Sequence, residues 1–160
     1  MLLRPLHRLP SQPQLTQMLR GLLGREVELT KIEPHDHPSY VAIYSDATGR
    51  AVNVLAFDVP LAASASAALA LIPVGSAEEW IASGELPEDA RDNVYEVLNV
   101  LAATHNQNDE SRHVKLTSLV SPGDALPDDV ARGLASPAAF VWFRAEVPGF
   151  PGGILNAAAF

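Results

Sequence analysis

The sequence predicts an α+β fold in which an antiparallel-rich β-sheet is covered by packed helices in a single domain. Three observations point to it. Apolar residues recur at helical spacing in two separate places. Short apolar runs are joined by compact, turn-rich connections. The elements come in the order helix, several strands, two helices, more strands, without the regular strand–helix alternation of a parallel sheet.

Leu15, Met18, Leu19 and Leu22 recur at i, i+3, i+4 and i+7. This predicts an amphipathic helix from about Leu15 to Gly24, with Ser11 and Pro13 near its start. Val27 to Glu33 alternates apolar and polar residues, as a half-buried strand does. Tyr40 to Tyr44 and Ala51 to Phe57 are apolar strands, and Asp46-Ala47-Thr48-Gly49 between them supplies hairpin turn chemistry. Asp58 is placed to cap a helix beginning near Pro60 and running to Leu71, with Pro73 and Gly75 ending it. That segment is rich in Ala and Ser, whose small side chains let a helix lie close to a sheet. Gly84 to Glu88 is a break before a longer helix that reaches about Asn106, where Asn106, Asn108 and Asp109 favour a turn. Val114 to Val120 reads as a strand, and Asp128 to Gly133 as a short helix within a loop. Ala139 to Val147 and Ile154 to Phe160 read as a closing antiparallel pair.

Composition sets limits. The 160 residues suit one domain with a sizeable core, and 48% hydrophobic content is that of a globular chain. A formal net charge of −8 argues against a nucleic-acid binder, which needs a basic surface. Zero cysteines exclude disulfides, thiol catalysis and cysteine-held metal, and fit a reducing cytoplasm. No run approaches the ~18 apolar residues of a membrane span. Residues 1–10, interrupted by Pro5 and Pro10, read as a flexible or loosely packed arm, a tether or a frayed end.

The segment Asp92-Asn93-Val94-Tyr95-Glu96-Val97-Leu98-Asn99 carries the chemistry. At about 100° per residue, Val94, Val97, Leu98 and Leu101 gather on one side of a helix. Asp92, Glu96, Asn99 and Ala103 gather on the other. A carboxylate and an amide are thus offered together to solvent, with a small residue one turn on. Pro122 follows Asn99 after 22 intervening residues.

The pattern Asp-x3-Glu-x2-Asn-x22-Pro resembles the signature of the CheC/CheX/FliY family of chemotaxis phosphatases, and the order of elements along the chain is also similar. The first helix lacks a Glu-x-x-Asn pair, so the resemblance is to the single-motif CheX form. It implies a CheC-like fold, a homodimer, and hydrolysis of the aspartyl phosphate on a CheY-type receiver. By the resemblance, Asn99 holds the attacking water and Glu96 pairs with the receiver's lysine. The Mg2+ ion belongs to the receiver, and no cofactor is implied in this chain. Asp92 and Ala103 support the face, although a carboxylate at Asp92 also suits the start of a helix. Pro122 reads as shaping the exit of the strand before it. Where many relatives carry glycine or another small residue past the asparagine, Leu101-Ala102-Ala103 stands here, and Ala103 keeps the face small. His105 lies nearer the apolar side and reads as a partly buried structural histidine.

A second reading is a non-catalytic CheC-like module that docks on a response regulator or a flagellar switch component. Other candidates are weaker. His35-Asp36-His37 has ligand types but no third ligand nearby, and reads as a solvated turn. Gly149 to Gly153 lacks the lysine of a phosphate-binding loop and reads as a hairpin connection. Trp80 and Trp142 read as core or interface anchors. Pairing of subunits is expected at an exposed edge strand near the C-terminus.

Overall fold

The structure is a computed structural model and describes residues 9–106 and 113–160. Its elements are α1 (Gln12–Leu23), β1 (Glu28–Ile32), β2 (Ser39–Ser45), β3 (Ala51–Asp58), α2 (Val59–Ala70), α3 (Val74–Ser83), α4 (Glu88–Asn106), β4 (Lys115–Val120), α5 (Asp128–Ala135), β5 (Ala139–Glu146) and β6 (Gly153–Ala159). Among the described residues, six strands form one sheet in the order β1-β5-β6-β3-β2-β4, and every neighbouring pair is antiparallel. The α+β expectation holds.

Local chemistry explains the element boundaries. Ser11 caps α1 in a capping box with Gln14, Pro13 lies in its first turn, and Gly24 closes it in the left-handed region. The β2–β3 hairpin turns at Asp46, whose backbone amide donates to the Arg50 carbonyl and whose carbonyl accepts from Gly49. Asp58 caps α2: its Oδ1 accepts the Leu61 amide at 2.9 Å and also the Ile154 amide at 3.0 Å, joining the helix to β6.

The main core lies on one face of the sheet. Helix α2 runs through it, buried on nearly every side by virtue of its alanines and serines. It packs on α1, α3, α4 and the sheet. Along the strands, alternate residues turn to the other face. There Ile43, Val54 and Ala158 meet Val130 of α5 in a smaller cluster.

Four expectations change. Between α2 and α4 lies a further helix, α3, over a segment to which the sequence pattern assigns no element. Leu71 in the left-handed region ends α2, and Pro73 then stands at the start of α3 rather than merely stopping its predecessor. Val74, Ala77 and Ile81 do have helical spacing, but Pro73 and Gly75 read as breakers. Next, β5 and β6 lie inside the sheet, and the edges are β1 and β4. The C-terminal strands therefore present no free edge for pairing. Third, residues 9 and 10 are not an arm: Leu9 packs on the core and Pro10 is buried. Residues 1–8 fall outside the described residues, as does the turn expected at Asn108 and Asp109. Finally, the Asp92 carboxylate sits beyond the first turn of α4, where Glu88 and Asp89 stand. Its reading as a helix-start charge weakens, because the dipole acts over the first turn.

Candidate functional site

Helix α4 buries Val94, Val97, Leu98 and Leu101 and exposes Asp92, Glu96, Asn99 and Ala103. The two faces match the expected wheel. Among the described residues, the Asp92, Glu96 and Asn99 side chains make no hydrogen bond or ion pair. Their polar atoms are open to a partner. Tyr95 flanks them with an exposed ring. Glu88, Asp89, Asp92 and Glu96 make the exposed side of the helix acidic.

The helix beneath that face is fixed at several points. The Tyr44 hydroxyl, on β2, donates to the Leu98 carbonyl at 2.7 Å in the buried core. Burial pushes the Tyr44 phenol well above its ordinary pKa of 10.0, which keeps it a neutral donor. The His105 ring lies 4.4 Å from the Tyr44 ring, in keeping with a partly buried structural histidine. At the C-terminal end, Asn106 exchanges two bonds with Val114 ahead of β4: its Nδ2 donates to the carbonyl and its Oδ1 accepts the amide, each at 2.9 Å. In the middle, Asn93 Nδ2 donates to Ser66 Oγ of α2 at 3.3 Å.

Near the N-terminal end, the one arginine of α4 turns from the acidic face toward the sheet. Arg91 Nε donates to Ser121 Oγ at 2.8 Å, and its Nη2 donates to the Leu119 carbonyl at 2.5 Å. Ser121 opens the turn that holds Pro122. The Asp124 amide donates back to the Ser121 carbonyl at 3.1 Å, and Gly123 sits at φ 87°. Proline second and a left-handed glycine third is the arrangement of a type II turn. Pro122 thus stands second in the turn that leaves β4, and it is half-buried.

Sequence reasoning found the exposed pair and missed its supports. Tyr44 lies 54 positions from Leu98, and Arg91 lies 28 and 30 positions from its acceptors. No periodicity links such residues. A faint signal exists for Arg91 alone: it is the only cation in an otherwise acidic helical segment ahead of Asp92.

The other candidates stay minor. His35 and His37 stack at 4.9 Å, with Nδ1 and Nε2 2.9 Å apart, on an exposed loop. Among the described residues, no group of three or more His, Cys, Asp or Glu side chains is placed to hold a metal ion. No described helix is long and apolar enough to cross a membrane. Trp80 is half-buried against the core.

No protein-family model matches the chain, and no curated protein does. Solved structures do match. The FliM middle domain from H. pylori superposes with a TM-score of 0.64 at 10% identity, over 92% of this chain and 84% of that one. FliY from Thermotoga maritima gives 0.54 at 16% identity, over 91% and 81%. The CheX-CheY-BeF3-Mg2+ complex from Borrelia burgdorferi gives 0.55 at 15% identity, over 91% of both chains. At such identities the likeness is one of fold.

Proposed function

From the fold that this chain shares with CheX, FliY and the FliM middle domain, we propose that it is a phosphatase of a CheY-type response regulator. The observation that carries the reading is the exposure of Glu96 and Asn99 together on α4, opposite its buried stripe. The spacing to Pro122 and the resemblance it carries supply the roles.

An aspartyl phosphate already has a good leaving group. Its hydrolysis through a loose transition state needs a positioned water and balanced charge more than a strong base. The Asn99 amide offers both donors and an acceptor, and so can hold a water in line with phosphorus. The water oxygen bonds to phosphorus, the bond to the aspartyl oxygen breaks, and the carboxylate leaves with the electron pair. The water's proton ends on the phosphate. Glu96 pairs with the receiver's lysine and docks the helix. Ala103 keeps the approach open. Mg2+ comes with the receiver and balances charge on the phosphoryl oxygens. The proposal includes a cytoplasmic homodimer. For strand pairing the sheet offers two edges, β1 and β4.

A second reading is favoured by one observation: FliM structures superpose with higher TM-scores, 0.64 and 0.66, than the CheX complex does at 0.55. It is a module that docks on a receiver or a flagellar switch component without turnover. The test is phosphate release from a Mg2+-loaded, phosphorylated CheY-type receiver, with wild type and Asn99→Ala side by side. Acceleration by wild type alone supports the phosphatase. Binding of the receiver without acceleration supports the docking module and removes the catalytic role of Asn99.

A further inference from the structure

We infer that Arg91 is a positioning residue for the Glu96/Asn99 face, locking the angle of α4 to the turn that carries Pro122; the inference rests on the receiver-directed reading above.

The geometry is specific. Helix α4 and strand β4 are joined at both ends. Asn106 ties the end of the helix to Val114, just ahead of the strand. Arg91 ties the beginning of the helix to Leu119 and Ser121, where the strand ends. Among the described residues, strand β4 is an edge bonded to β2 alone, and its register shifts between Ile43 and Tyr44. An edge with a bulge has less to hold it than an interior strand. Its exit relative to α4 therefore depends on contacts from the helix side.

Apolar burial along Val94, Val97 and Leu98 presses the helix down, but that force is non-directional and resists sliding poorly. Hydrogen bonds are directional. The planar guanidinium adds two donors in a rigid fork, both used on the same short segment. The turn is itself stiff, since Pro122 presets its second position and Gly123 supplies the left-handed third. Pro122 touches no reacting group in this scheme. Its link to Glu96 and Asn99 passes through Ser121 and Arg91.

Magnitudes show why this matters. Arg91 and Asn99 are eight residues apart, about 12 Å along a helix. With Leu98 held by Tyr44, a tilt of about 5° moves the Arg91 end of the helix by roughly 1 Å against the Pro122 turn, and an error of that size in the docked geometry costs on the order of 100-fold in a positioned reaction. Arg91 acts through the helix and contacts no substrate.

The test uses Arg91→Met, Arg91→Lys, Ser121→Ala and the Arg91→Met/Ser121→Ala pair. Each is assayed for phosphate release from the Mg2+-loaded phosphorylated receiver, with kcat and KM resolved, and for thermal unfolding. Arg91→Met should lower kcat by about 10- to 100-fold and change KM by less, because docking can readjust where in-line geometry cannot. Ser121→Ala should fall between, and the pair should be no worse than Arg91→Met alone. Arg91→Lys should recover part of the rate through a single donor. Wild-type kcat in Arg91→Met, below its unfolding temperature, would overturn the inference even if its Tm has dropped. If Arg91→Met does not fold, Arg91→Lys and Ser121→Ala decide by the same kcat criterion. If wild type releases no phosphate, the phosphatase reading has failed separately. Affinity for the beryllofluoride-loaded receiver then decides: weakening of about threefold or more in Arg91→Met, within what docking can absorb, upholds the positioning role, and unchanged affinity overturns it.

Discussion

The hydroxyl of Tyr44 reaches across from the sheet to the carbonyl of Leu98, the residue that precedes Asn99 on α4. Both residues are fully buried. The bond fixes the helix next to the exposed pair from the opposite side, so the core and the candidate site share one support.

Tyr44→Phe should cost about 0.5–1.5 kcal/mol of stability, since Leu98 keeps its place in the helix and only one bond is lost. The pH dependence has a definite sign. The folded phenol is held protonated well above 10.0, whereas the unfolded one ionises near that value. The Tyr44 contribution is therefore complete below pH 10 and declines as pH rises beyond it. Denaturant unfolding from pH 8 to 11 should show a steeper alkaline decline in wild type than in Tyr44→Phe. Parallel curves would refute burial as the cause.

Glu96→Gln and Asn99→Ala should fold like wild type, with stability changes within about 0.5 kcal/mol. Both side chains are exposed, and neither is bonded among the described residues. Chemical unfolding run beside the phosphate-release assay separates function from folding. A loss above about 1 kcal/mol in either variant would make this face structural.

Asp58 divides into two roles that two variants separate. Asp58→Ala leaves the Leu61 and Ile154 amides without their acceptor and should cost about 2–4 kcal/mol. Asp58→Asn keeps the acceptor oxygen and removes a buried charge, so near pH 7 it should lie within about 1 kcal/mol of wild type. Burial raises the Asp58 pKa from 3.8, against opposing effects of the Ile154 and Leu61 amides, His37 and Arg144. The folded state therefore binds the proton more tightly. Wild type should gain on Asp58→Asn as pH falls through the raised pKa, reaching its full gain below 3.8. Movement in the opposite direction would show that the amides outweigh burial.

Gly153→Ala should destabilise by about 1–3 kcal/mol or more. An added Cβ would overlap Asp58 Oδ1 and come within 2.9 Å of the Leu61 Cβ, at the crossing of α2 and β6. Gly21→Ala is the control, because its Cβ would meet nothing within 4 Å and the change favours a helix. Equal melting temperatures for the two variants would show that the α2–β6 crossing can relax.

Much of this protein is written locally. The stripe of Leu15, Leu19 and Leu23, the Ser11 and Asp58 caps and the Asp46–Gly49 turn each act within a few residues. So does the division of α4 into a buried Val94/Leu98 side and an exposed Glu96/Asn99 side, because 3.6 residues per turn is a property of the backbone. The helix α3 was hidden for the opposite reason: Pro73 and Gly75 signal a break, and burial of Ala77 with packing of Trp80 and Ile81 overrides that signal. Strand order lay beyond local reading. Apolar runs on either side of the Pro148–Gly153 connection mark β5 and β6 as strands but say nothing of neighbours, and only the assembled sheet puts them inside with β1 and β4 at the edges. The same holds for the supports of the site. Tyr44 to Leu98 and Arg91 to Ser121 are hydrogen bonds between segments far apart in the chain, and they exist only once hydrophobic burial has brought the helix onto the sheet. The sequence by itself determined which side chains α4 shows to solvent; the tertiary structure decided how firmly, and at what angle, they are held.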